Sequence, residues 1–146
     1  DDNGSIVFDF LFPVGPKSID IVDGNGGFGA TLTLTDTNNL TRTYTIPERW
    51  TTDVTQALNG FQALDLTSLL PQPSEPNATG GDATAVQDAG FDQTMVVQLK
   101  MSFTGSGASG ATTSGDIDNL VVEIPEPATG VLLASLLVGL GVFRRR

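Results

Sequence analysis

The chain contains no cysteine and no histidine, one tryptophan and one tyrosine, and two lysines and five arginines against 17 acidic residues. Without cysteine there is no disulfide framework and no thiolate centre. Without histidine, Ser-His-Asp triads, Cys-His dyads and imidazole ligand sets fall away. Any chemistry would rest on carboxylates alone, and acids are so numerous here that a chance pair is no evidence of a glycosidase. No enzymatic activity is expected. A formal net charge of −10 would repel a phosphate backbone, so nucleic acid is not an expected partner either.

What remains is 146 residues, enough for one domain, with an uneven charge distribution. Residues 1–124 hold sixteen of the acids and only Lys17, Arg42, Arg49 and Lys100, a net of −12, whereas Arg144, Arg145 and Arg146 stand together at the far end. An acidic body followed by a basic terminus predicts two parts with different surroundings, water for one and a membrane boundary for the other.

The body reads as strands. Ser5–Phe12 is rich in β-branched and aromatic residues and is predicted to end at Pro13, and Lys17–Val22 alternates, with Ile19 and Ile21 on one face and Ser18, Asp20 and Val22 on the other. The Asp23-Gly24-Asn25-Gly26-Gly27 run predicts a hairpin-like connection to the next strand. Ala30–Asp36 and Leu40–Ile46 are threonine-rich period-two runs flanking Thr37-Asn38-Asn39, a second hairpin, with Leu40, Arg42, Tyr44 and Ile46 on one face and Arg42 expected near the edge. Phe61–Leu66, Thr94–Phe103 and Asp116–Ile124 complete about seven strands, while 71–90 and 105–115 read as exposed loops. No helical apolar stripe interrupts them. The fold class is all-β, an antiparallel β-sandwich of jelly-roll type over residues 1–124.

From Pro125 the composition changes. Pro125-Glu126-Pro127 fixes a stiff extended junction, residues 128–143 carry no charge and are apolar almost throughout, and the three arginines follow. Sixteen helical residues reach roughly 24 Å against a hydrocarbon core of about 30 Å, so a transmembrane helix of this length needs snorkelling arginines or a thinned bilayer. The arginines would stay on the cytoplasmic side and leave the body outside. A buried core helix would show a polar face, which this segment lacks. Physical chemistry alone leaves a plain tail anchor and a cleaved sorting signal both open.

This order of Pro-Glu-Pro, short apolar helix and terminal arginine cluster, over Pro125–Arg146, resembles the PEP-CTERM sorting signal. The resemblance implies export across the inner membrane of a Gram-negative bacterium, recognition of Pro125, Glu126 and Pro127 by an exosortase, and a destination at the cell surface or in an exopolysaccharide matrix or biofilm. No cofactor is expected beyond a candidate structural Ca²⁺. Asp1 is not preceded by a methionine-led apolar leader, so such a leader is expected to have been removed or to lie outside a fragment.

Two sets of body residues are candidate ligand sites. Asp20, Asp23, Asp116 and Asp118 offer hard oxygen ligands for a structural Ca²⁺, beside the alternative of ordinary Asx-turn chemistry. The segment Gly115–Glu123 resembles the closing strand of jelly-roll carbohydrate-binding modules, where an Asp near the strand start helps hold calcium. An EF-hand is excluded, since the twelfth position from Asp23 is Leu34 in place of a bidentate glutamate. Trp50 and Tyr44 are the candidate stacking faces for a glycan, beside the alternative of core packing. The Asn-x-Thr tripeptides at Asn39 and Asn77 carry no weight alone.

Overall fold

The computed structural model describes residues 4–23, 29–51, 61–76, 78–104 and 115–125. These form an all-β, wholly antiparallel sheet of seven strands: β1 (Ser5–Asp23), β2 (Gly29–Asp36), β3 (Thr41–Ile46), β4 (Phe61–Asp65), β5 (Thr84–Gln87), β6 (Val96–Thr104) and β7 (Gly115–Glu123). The order is β4-β1-β6-β2-β3-β5, and β7 pairs with β1 across from β4. The sheet is curled around one core, and β1 belongs to both of its halves.

Among the described residues the strands number seven, as predicted, but two assignments change. Ser5–Phe12 and Lys17–Val22 are one strand that runs through Pro13 and Pro16. Proline is tolerated here because it sits where β1 changes partners: the β6 ladder is irregular between Asp9 and Val14, and the β7 ladder shifts between Pro16 and Ser18, so few ladder donors are lost. The seventh strand is β5, inside the stretch expected to be a loop. Thr84-Ala85-Val86-Gln87 is short and shows little alternation, and its pairing with Arg42–Thr45 of β3 makes it a strand. The first predicted hairpin is also corrected. Residues 24–28 lie outside the described set, but β1 and β2 each pair with β6, which lies between them.

The second hairpin, β2–β3, forms as predicted. Asp36 closes it: Oδ1 accepts from the amides of Asn38 (2.8 Å) and Leu40 (3.0 Å), and Asn39 takes a φ of 62°, a region asparagine tolerates. Register then aligns whole rows. On the inner face Ile6, Met101, Leu32, Tyr44 and Ala85 stand side by side across five strands, as do Phe8, Leu99, Leu34, Arg42 and Gln87. Ile19, Ile21, Leu64 and Leu66 bury their side chains in the same core from the β1–β4 half. Each such side chain contributes roughly 1.5–3 kcal/mol by leaving water. The outer face carries the threonines, with Thr31, Thr33 and Thr35 opposite Thr45, Thr43 and Thr41.

Candidate functional site

Arg42 sits in the apolar phase of β3, and the structure buries it at 6 % exposure instead of leaving it at an edge, because β5 covers the outer side of β3. Burial of a guanidinium requires partners. Nε and Nη2 donate to Gln87 Oε1 at 3.0 and 2.8 Å, and Nη1 donates to the Leu66 carbonyl at 2.9 Å and to Gln93 Oε1 at 2.7 Å. Gln93 in turn donates through Nε2 to the Pro16 carbonyl. The Tyr44 hydroxyl donates to the same Leu66 carbonyl at 2.6 Å, and burial pushes its phenol above the ordinary range. Arg42 therefore ties β3 to β5, to the residue after β4, and through Gln93 to the corner of β1. This is architecture, with the charge enclosed. Its sequence trace was a cation at a position where alternation demands an apolar residue.

Tyr44 and Trp50, read from sequence as candidate glycan platforms, are corrected: they are 0 % and 1 % exposed and present no face to a sugar. Trp50 Nε1 donates to the Gln72 carbonyl at 3.1 Å, and its backbone is wedged against Gly80, where an added Cβ would lie 2.4 Å from Trp50 N. Both rings are core because their alternation or turn geometry directs them inward, where their area is worth most.

The acidic candidates are partly brought together. Asp20 of β1 faces Asp118 of β7 directly across the strand pair. Asn119, next to Asp118 in the acidic run Asp116-Ile117-Asp118-Asn119, adopts a φ of 46° at the shift in the β1–β7 ladder and donates from Nδ2 to Asp20 Oδ2 at 2.9 Å. Its own amide donates to Asp118 Oδ1 at 2.8 Å. Asp116 and Asp23 occupy register positions opposite Val22 and Gly115. Among the described residues no group of three or more acidic side chains is placed to hold a metal ion.

Two other carboxyls are tuned by neighbours. The Thr67 hydroxyl, donating at 2.6 Å, outweighs partial burial and holds Asp65 below the usual carboxylate range. Glu123 is held low by its hydrogen bond and ion pair with Lys17, 2.6 Å away.

Of Pro125-Glu126-Pro127, read from the sequence as a candidate sorting motif, Pro125 is described and exposed, two residues beyond the last paired residue, Glu123. Glu126, Pro127, the apolar segment 128–143 and Arg144, Arg145 and Arg146 lie outside the described residues. Among the described residues no helix is long and apolar enough to cross a membrane. No protein-family profile, curated protein or solved structure matches the chain.

Proposed function

We propose that this chain is an exported, non-catalytic protein held at the inner membrane by residues 125–146 and processed there by an exosortase, to work at the cell surface or in an exopolysaccharide matrix. The observation that carries the reading is the order of parts: Pro125-Glu126-Pro127, sixteen uncharged residues and three arginines begin two residues after β7 ends at Glu123. A sorting signal must be readable without unfolding its cargo, and an exposed proline two residues beyond β7 supports that arrangement. In this reading the curled sheet is a sandwich of jelly-roll type, with β1-β6-β2-β3-β5 as one leaf and β4-β1-β7 as the other. The burial of Trp50 and Tyr44 weighs against a carbohydrate-binding module on the same anchor.

The test is intact mass and localisation of the full chain in a host with and without an exosortase. Loss of the tail only when the enzyme is present supports the proposal. An intact tail in the membrane in both hosts reduces residues 125–146 to a plain anchor and overturns it.

A further inference from the structure

The corner of β1, where the strand passes from one half of the sheet to the other, collects exposed apolar side chains from three separate elements. Leu11 and Phe12 stand just before it at 94 % and 73 % exposure. β4 runs antiparallel to β1 and leaves at the same place: Asp65 faces Ser18, and the Leu66 amide donates to the Lys17 carbonyl at 2.8 Å. The chain then turns back, since Gln72 hydrogen-bonds with Asp65 through both its amide atoms. Leu70, 74 % exposed, lies in that turn. β7 also leaves there, because Glu123 faces Gly15 and Ile124, 70 % exposed, comes next. Isolated exposed leucines need no explanation, but convergence of four large ones at one end of a domain does.

The charge pattern singles out the same end. Residues 10–16 read FLFPVGP, residues 68–71 SLLP and residues 124–125 IP, none of them charged, in a body whose net charge is −12. Of the charges beside the corner, Lys17 and Glu123 neutralise one another, which leaves Asp65, opposite Ser18, as the acid at its margin. And it is from this end, after Pro125, that the chain continues into the apolar run 128–143. We infer that Leu11, Phe12, Leu70 and Ile124 form a foot by which the domain rests on the lipid surface, inserting shallowly into the headgroup and acyl boundary beside its own anchor. The inference deepens the membrane reading above and rests on it. A lipid surface suits the patch because it is broad, needs no shape complement, and is brought to the corner by the chain itself.

Because the protein has no cysteine, a single introduced one reports its own surroundings. Full-length Phe12→Cys and Leu70→Cys, each carrying a polarity-sensitive nitrobenzoxadiazole dye, are reconstituted with vesicles of phosphatidylcholine and phosphatidylglycerol. Val86→Cys, exposed on β5 at the far edge of the sheet, is the reference. Vesicle flotation is scored separately. The expected result is flotation of all three, with blue-shifted emission and quenching by spin-labelled lipid at positions 12 and 70 but not at 86. Flotation with positions 12 and 70 as water-like as 86 overturns the foot and leaves the anchor standing. Failure to float overturns the membrane reading, and the foot with it.

Discussion

The guanidinium carbon of Arg42 stands 4.9 Å from the centre of the Phe91 ring, so the only charge in the inner row of β3 is covered by an aromatic face while its nitrogens are taken by Gln87, Gln93 and the Leu66 carbonyl. Such an arrangement works only as a set. Removing Arg42 takes the guanidinium donors from Oε1 of Gln87 and of Gln93 and leaves the Leu66 carbonyl with the Tyr44 hydroxyl alone, a loss that exceeds the net worth of the bonds themselves.

Arg42→Met is therefore expected to lower unfolding free energy by about 2–4 kcal/mol despite its apolar length, read from urea denaturation. Arg42→Lys should recover little, because one ammonium cannot reach Gln87, Gln93 and Leu66 in a planar fork. Stability equal to the parent in either variant would show the network to be dispensable.

At Gly80 the clash is with backbone, which cannot swing aside as a side chain can: a Cβ would fall 2.4 Å from both Arg49 C and Trp50 N. Gly80→Ala should cost about 1–3 kcal/mol and redden Trp50 emission as the ring loses its packing. A neutral substitution, measured by the same denaturation and by fluorescence, would contradict the close approach.

Stability should fall on acidification, and Asp36 makes part of that fall assignable. Burial opposes its charge, but amides of Asp92, Leu40 and Asn38 donate to it and hold the carboxyl below its ordinary range. A carboxyl depressed in the folded state stabilises above its unfolded pKa, and the benefit is lost as pH falls through the folded value. Asp65 and Glu123, also depressed, act in the same direction. Asp36→Asn should lower the urea midpoint near neutrality, and the gap to the parent should close as pH falls below the carboxylate range. A gap independent of pH would assign the loss to geometry alone.

Asp20 and Asp118 face one another as like charges across β1 and β7. Asp118→Asn should stabilise by about 0.2–1 kcal/mol, less at high salt, as removal of a direct cross-strand repulsion does. Destabilisation in thermal melts across a salt series would mean that the pair is held together by something more than the Asn119 amide.

Glu126→Ala and deletion of residues 144–146 should leave the melting curve of the body unchanged while altering processing in an exosortase host. Both changes lie beyond β7. Normal processing of both variants would refute the recognition role of the motif.

Much of this fold was legible because alternation is a local property. Leu32, Leu34, Tyr44 and Ile46 declare their face in the chain, and the structure buries all four. What was not legible depends on partners far away in sequence. Pro13 reads as a stop because a proline normally costs a ladder bond, and nothing local reveals that β1 changes neighbours there. Thr84-Ala85-Val86-Gln87 has no strand signature until β3 lies beside it. For Trp50 the sequence left a glycan platform and core packing both open, since the carbonyl of Gln72 that receives its indole is supplied by a distant turn. Asp20 and Asp118 drew notice as acidic spots, and only the register shows them to be neighbours.

The long first strand sets the order in which the domain can be completed. β1 pairs residue 5 with residue 102 and residue 23 with residue 115, so β6 and β7, two of its three partner strands, are the last of the described strands to be synthesised. Until they arrive, the first strand is an open edge, and bringing its ends to β6 and β7 requires closing the longest loops in the molecule before those contacts repay the lost chain entropy. Completion of the sheet is thereby postponed until β7 has been made, and then runs on the millisecond-to-second timescale of non-local β topologies. In the proposed export, that delay keeps the chain threadable for as long as β7 is missing.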